Sequence, residues 1–185
     1  MAQFIPAEPF DLVIFGGTGD LAQRKLLPAL YRRDRDRQFS DDSRIFASSR
    51  KAINREDFLQ LVRDALDEYL DAEELDTETW RRFSSRLHFH QQDVTAAEGW
   101  ENLQEKLSGQ HGKVRVFYLA MIPSLYASAA RNLAKGGLID ETARIVLEKP
   151  VGRDFDSARA INDEVCKHFD EQRIYRIDHY LGKET

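Results

Sequence analysis

The stretch Phe10-Asp-Leu-Val-Ile-Phe-Gly16-Gly17-Thr18-Gly19-Asp20-Leu21-Ala22-Gln-Arg24-Lys25-Leu-Leu-Pro28 constrains the fold more than any other part of this sequence. A run of β-branched and aromatic residues stops at a glycine cluster and turns at once into helical spacing, so the pattern predicts strand, tight turn and helix start in direct succession. A helix start carries N–H groups without intrahelical acceptors and a partial positive charge, and glycines let an anion come close to the backbone. Such a turn suits a dinucleotide pyrophosphate. Its spacing, G-x-x-G-x-x-A through Gly16, Gly19 and Ala22, is a variant of the common G-x-G-x-x-G, and no G-K-S/T follows to make it a P-loop. A glycine turn that merely joins a strand to a helix stays open on this motif alone.

Composition narrows the class. With 42% hydrophobic and 32% charged residues among 185, the chain reads as one globular domain over residues 1–185, and no apolar run is long enough to span a membrane. Met1 to Pro9 lacks the basic and apolar sections of a signal peptide, and the single Cys166 has no internal disulfide partner, so a reducing cytoplasm is expected. A net charge of −5 argues against a general nucleic-acid binder, while leaving room for a local cationic pocket that takes a small phosphorylated ligand.

Along the chain, Asp20 to about Arg33 reads as a helix with apolar Leu21, Leu26, Leu27, Leu30 and Tyr31, and Pro28 within it predicts a kink or early break. The alternating charges of Arg32 to Arg37 read as a solvated face and linker. A second strand, Arg44 to Ser48, leads into Ser48-Ser49-Arg50-Lys51. An acidic residue at that strand end would select a free ribose hydroxyl; hydroxyls, a guanidinium and an ammonium suit a phosphate monoester instead, with a solvated basic turn as the other reading. Asn54 and Asp57 open a helix to about Leu70, a shorter helix covers Thr77 to Phe83, and the acidic Asp71 to Glu78 reads as a solvated connection. Leu87 to Gln92 is a third strand. Its His88 and His90 share a face, but nothing nearby in sequence completes a coordination shell, so no metal site is expected. Asp93 either caps the next helix or lies beside a bound adenine. Val114 to Leu119 is a fourth strand, Ala120 to Ser124 a turn, and Leu125 to Ala134 a helix of small residues. Ala143 to Leu147 is a fifth strand. A helix from Asp154 to about Phe169 buries Ala158, Ile161, Val165 and Phe169, with Cys166 packed and inert near that face. Ile174 to Ile177 is a sixth strand.

Strand and helix alternate throughout, which predicts an α/β fold of the Rossmann type: a doubly wound parallel sheet in the order 3-2-1-4-5-6, helices on both faces, and ligands across its carboxyl edge. On that topology the glycine turn, Arg50, Asp93, Pro123, Lys149 and His179 follow strands one to six in turn. Scattered surface polar residues would not be confined to strand ends.

Three segments carry a family resemblance: Gly-Gly-Thr-Gly-Asp-Leu-Ala-x-Arg-Lys at 16–25, Glu148-Lys149-Pro150-Val-Gly152, and Arg176-Ile-Asp-His-Tyr-Leu-Gly-Lys-Glu184. In this order they resemble the bacterial glucose-6-phosphate dehydrogenase family across essentially the whole chain. The resemblance implies an NADP-dependent oxidoreductase that passes a hydride from C1 of glucose 6-phosphate to NADP⁺, opening the oxidative pentose phosphate pathway. By position it implies that Gly16, Gly17, Thr18, Gly19, Asp20, Leu21 and Lys25 hold the pyrophosphate and neighbouring groups, that Arg50 faces the 2′-phosphate, and that Asp93 and Val94 lie beside the adenine. Lys149 would touch both nicotinamide and sugar, with Pro150 closing a cis peptide. His179, Tyr180 and Lys183 would form the sugar-phosphate site, and Asp178 would support the catalytic base. One departure is the single Pro123 in the turn after strand four, where relatives have two successive prolines. In the family the base, a histidine, lies in a following domain with further sugar-binding carboxylates and the sheet that makes the oligomer interface. The parent protein is therefore expected to be a homo-oligomeric dehydrogenase, whereas a polypeptide ending at Thr185 is expected to bind NADP weakly and turn over negligibly. A short-chain oxidoreductase would need Tyr-x-x-x-Lys, which does not occur here. A stand-alone nucleotide-sensing module stays open.

Overall fold

Six runs rich in β-branched and aromatic residues pair side by side in the computed structural model, which describes residues 7–109 and 113–178. They are β1 (Phe10–Phe15), β2 (Arg44–Ser49), β3 (Leu87–Gln91), β4 (Val114–Leu119), β5 (Arg144–Glu148) and β6 (Ile174–Ile177). All neighbours are parallel, in the order β3-β2-β1-β4-β5-β6. The chain builds outward from β1 to β3, then crosses back to lay β4 on the other side of β1. That reversal leaves a crevice at the carboxyl ends of β1 and β4.

Alternation along each strand feeds two cores. Val13, Phe15, Phe46, Phe117, Leu119, Ile145 and Leu147 face α4 (Trp100–Leu107), α5 (Tyr126–Lys135) and α6 (Phe155–Cys166). Ile14, Ile45, Ala47, Leu87, Tyr118 and Val146 face α1 (Leu27–Arg35), α2 (Arg55–Tyr69) and α3 (Thr77–Arg86). A sheet covered on both faces explains why its inner strands β1, β4 and β5 read as nearly continuous apolar runs, while the edge strands β3 (LHFHQ) and β6 (IYRI) do not.

Several local expectations change. Pro28 does not break the first helix. A π-turn over Ala22–Leu26, in which Leu27 N–H donates to Ala22 O, takes up the extra residue, and α1 starts afresh with Pro28 in its first turn, where no N–H is needed. Asn54 caps α2 as expected, accepting the Asp57 N–H at 2.8 Å. Asp93 caps no helix: its Oδ1 accepts the Thr95 N–H and hydroxyl at 2.8 and 2.7 Å, closing a turn, while α4 starts at Gly99. The last helix ends at Cys166, so Phe169 packs from the following turn, and Ala158 and Ile161 are half-buried. Cys166 is exposed, not packed; residual burial and the neighbouring Glu171 push its thiol up, which keeps it protonated at neutral pH.

The charge runs are not solvated linkers either. Arg32 grips Glu74 with two parallel bonds of 2.8 and 2.7 Å, Arg35 adds a third at 3.1 Å, and Asp34 on α1 is 1% exposed against Arg82 and Arg86 of α3. The pairing Arg32 guanidinium, with Arg35 behind it, lowers the Glu74 carboxyl from its ordinary 4.5 to about 2. A folded-state value below the unfolded one means that this stabilisation is complete above about pH 4.5 and fades as pH falls toward 2. Glu74→Gln should therefore flatten that acid limb and leave the pH dependence above it unchanged, which urea melts across the range would read.

Candidate cofactor-binding site

The glycine turn is built for close approach. Gly16 has φ +84°, and a Cβ there would stand 2.1 Å from Ala120 O; a Cβ on Gly17 would stand 2.7 Å from the Cβ of Ala47. Both residues donate their N–H to Ser48 O, at 2.9 and 3.0 Å, so the turn is tied to β2. Gly19 N–H donates to Gly16 O at 2.8 Å, and the first helical bond runs from Gln23 N–H to Gly19 O at 3.1 Å. Asp20, Leu21 and Ala22 thus open the helix with N–H groups that precede any intrahelical acceptor. The N–H groups of Gly16, Gly17 and Gly19 hold the turn together, so the groups left open to an anion are those of the helix-start residues.

A cleft of about 480 Å³ opens beside this turn. Gly16, Thr18 and Gly19 form one wall, Ser48, Ser49 and Arg50 from the end of β2 a second, and Gln92, Asp93, Val94 and Thr95 after β3 a third. Met121, Ile122 and Leu125 close it with an apolar surface. The loop after β3 is pinned from below: the buried Asn132 of α5 donates to Val94 O and Ala96 O at 2.9 and 3.1 Å, and Trp100 Nε1 donates to Ala96 O at 2.9 Å. Thr95, through its N–H and hydroxyl, holds the Asp93 carboxyl below the usual range, and the positive charge of Arg50 adds to this across the cleft. The Ser48 hydroxyl is buried in this wall with no protein partner.

The sequence-derived residues divide into groups. Gly16, Thr18, Gly19, Arg50, Asp93 and Val94 line one cleft. Gly17 lies beneath it, and Asp20, Leu21 and Lys25 follow along the helix start, with Lys25 exposed and Asp20 paired to Arg24 at 3.5 Å. Lys149 and Asp178 stand at the carboxyl ends of β5 and β6, outside that lining, joined through Lys149 N–H to Ile177 O at 2.9 Å. The Lys149–Pro150 peptide is cis. His179, Tyr180 and Lys183 lie outside the described residues. Sequence reasoning missed the apolar wall and Asn132; the signal for the latter was one amide in a helix of small residues.

His88 and His90 belong elsewhere. His88 stacks on Phe46 at 4.8 Å and His90 is 4% exposed; burial lowers the pKa of both, with nearby Lys106 acting in the same direction. Among the described residues no group of three His, Cys, Asp or Glu could hold a metal ion, and no helix is long and apolar enough to cross a membrane.

Comparison with known proteins agrees with this geometry. Residues 13–185 match the family model described as glucose-6-phosphate dehydrogenase, NAD binding domain. Glucose-6-phosphate 1-dehydrogenase of Rhizobium meliloti is 44% identical over 184 residues, and that of Gluconobacter oxydans 47% over 188; each match covers 100% of this chain and 38% of the relative. The crystal structure of glucose-6-phosphate 1-dehydrogenase from Mycobacterium avium superposes with a TM-score of 0.85 at 37% identity, over 95% of this chain and 37% of that one. A glucose-6-phosphate dehydrogenase solved with its substrate glucose-6-phosphate gives a TM-score of 0.82 at 28% identity, over 100% of this chain and 39% of that one. The chain thus spans about 38% of the length of these relatives, and it belongs to the glucose-6-phosphate dehydrogenase family as its nicotinamide-dinucleotide-binding domain.

Proposed function

We propose that this chain binds NADP⁺ along the carboxyl edge of its sheet and forms the cofactor half of a dehydrogenase acting on glucose 6-phosphate. The observation that carries the reading is one cleft with Gly16, Thr18 and Gly19, directly ahead of a helix start, on one wall and Arg50 on another. The N–H groups of Asp20 and Leu21, with Thr18 beside them, suit a pyrophosphate, which the helix dipole also favours. Gly19 leaves room for it to approach. Arg50 suits a 2′-phosphate through paired, charge-assisted hydrogen bonds, and no acidic side chain stands at the end of β2 to favour a free hydroxyl. Val94 and the Met121, Ile122 and Leu125 wall offer an apolar slot for an adenine.

NADP⁺ when bound supplies the hydride acceptor. What this chain contributes is position: Lys149, at the end of β5, orients nicotinamide and sugar toward each other in near-attack geometry. His179, Tyr180 and Lys183 supply donors for the sugar phosphate, and Asp178 supports the base. Taken by itself, a polypeptide of these 185 residues holds cofactor and turns over negligibly, because hydride loss from an alcohol needs a base for the hydroxyl proton and the resemblance puts that histidine beyond Thr185. The parent enzyme works in the cytoplasm as a homo-oligomer, without nucleic acid or membrane.

Calorimetric titration of the chain with NADP⁺ and NAD⁺ tests the cofactor reading. NADP⁺ should bind more tightly, and Arg50→Ala should weaken it by about 10- to 100-fold, the worth of charge-assisted bonds to a phosphate, while leaving NAD⁺ within about twofold. Equal affinities unchanged by the substitution would remove Arg50 from this role.

A further inference from the structure

Glu148, the residue before Lys149, is held from two directions. Tyr118 on β4, 9% exposed, donates its hydroxyl to Glu148 Oε1 at 2.5 Å. Tyr126, 1% exposed at the start of α5, donates its hydroxyl to Glu148 O and accepts from Glu148 N–H, both at 3.4 Å. Tyr118 pairs in register with Val146, so Glu148 is its diagonal neighbour on the same face of the sheet. The next residue, Lys149, is tied to β6 through its N–H and Ile177 O at 2.9 Å.

Packing alone does not call for this arrangement. Tyr118 belongs to the apolar cluster under α1 to α3, where a phenylalanine opposite an aliphatic residue would fill the same space without desolvating a hydroxyl and a carboxylate. What the pair adds is direction. A carboxylate held by the Tyr118 hydroxyl, with its backbone groups held by Tyr126, restricts Glu148 and hence the line on which Lys149 leaves the sheet. Burial, followed by Glu148 itself, raises the Tyr118 phenol far above its ordinary value, so Tyr118 stays a donor at any working pH.

We infer that Tyr118, acting through Glu148, is a positioning residue that aims Lys149 at the nicotinamide half of the cofactor. The inference rests on the NADP⁺ reading above, and it separates the two halves of that ligand: the adenosine half is gripped in the cleft after β1, β2 and β3, the nicotinamide half through β4 and β5.

Two probes resolve the halves, NADP⁺ and 2′-phospho-ADP-ribose, which lacks the nicotinamide. In the 185-residue chain, Tyr118→Phe should weaken NADP⁺ by about five- to tenfold, the scale of one ordinary hydrogen bond because the lost contact acts only through position, and leave 2′-phospho-ADP-ribose within about twofold. In a Lys149→Ala background the same substitution should add nothing, because its effect passes through Lys149. Should Tyr118→Phe melt too low to titrate, Glu148→Gln keeps the shape, removes the charge from the same bond, and should show the same selectivity at about two- to threefold. Equal losses for both probes, no loss for either, or an undiminished loss without Lys149 would each overturn the inference. Failure of the unsubstituted chain to bind 2′-phospho-ADP-ribose would instead sink the cofactor reading, and this inference with it.

Discussion

Alanine at position 16 should cost the fold about 2–5 kcal/mol and abolish NADP⁺ binding with it. Two independent penalties meet there. Gly16 has φ +84°, in the left-handed region, where an L side chain costs about 1–2 kcal/mol. A Cβ would also stand 2.1 Å from Ala120 O, and Ala120 cannot easily withdraw, since its own N–H donates to Phe15 O at 2.9 Å along the β1–β4 seam. Forced overpacking of this kind costs about 1–3 kcal/mol more. Against a typical domain stability of about 5–15 kcal/mol, a large fraction is lost, and the loss is localised at the turn that shapes the cleft. Gly19→Ala is the counterpart. Gly19 has no positive φ, and its Cβ would meet only Gly16 O, at 3.1 Å. Its fold should change by no more than about 1 kcal/mol, while NADP⁺ affinity falls about tenfold or more because the methyl stands where a pyrophosphate would approach. Urea melts and calorimetric titrations of both variants check the pair. Wild-type stability in Gly16→Ala would contradict the turn as described.

The contrast also shows what a sequence can and cannot carry. Strand, glycine turn and helix start are local, so the parallel sheet, its order and the alignment of Gly16, Arg50, Asp93 and Lys149 at the carboxyl ends of their strands are legible in the sequence. The division of labour among the glycines was not. That Gly16 and Gly17 donate to Ser48 O depends on β2, which lies about thirty residues away. The helix expected after β3 had no bounds in the sequence, because Trp100, Leu103 and Leu107 give a short stripe and its cap is Gly99 in the left-handed region, whereas Asp93 offered a false cap signal nearby. The apolar wall of Met121, Ile122 and Leu125 looks in sequence like ordinary packing after a strand; only its position over the cleft gives it another meaning. The charge runs failed for the same reason of distance: nothing local marks Asp34 as buried.

Removing the Asp34 carboxylate should destabilise the chain by about 3 kcal/mol without touching cofactor affinity. Asp34 is 1% exposed; its Oδ2 accepts Arg82 Nε at 3.2 Å and its Oδ1 accepts Arg86 Nε at 3.0 Å. Arg86, 5% exposed, also donates to the carbonyls of Ser40, Asp41 and Ser43 at 2.6, 3.0 and 3.1 Å, so one guanidinium joins α1, α3 and the loop that feeds β2. Breaking a buried pair by deleting one member commonly costs about 3–5 kcal/mol, because the other charge is left uncompensated. Arg86 retains its three carbonyls and the exposed Asp41, which argues for the lower end of that range in Asp34→Ala. Asp34→Asn keeps an acceptor oxygen while removing the charge, and should lose less. None of Asp34, Arg82 or Arg86 lines the cleft, so folded Asp34→Ala should bind NADP⁺ within about twofold of the unsubstituted chain. Stability and binding then separate in opposite senses at Asp34 and Gly19. A matching loss of affinity in Asp34→Ala, measured well below its melting temperature, would mean that the α1–α3 network also sets the position of Arg50 at the far end of β2.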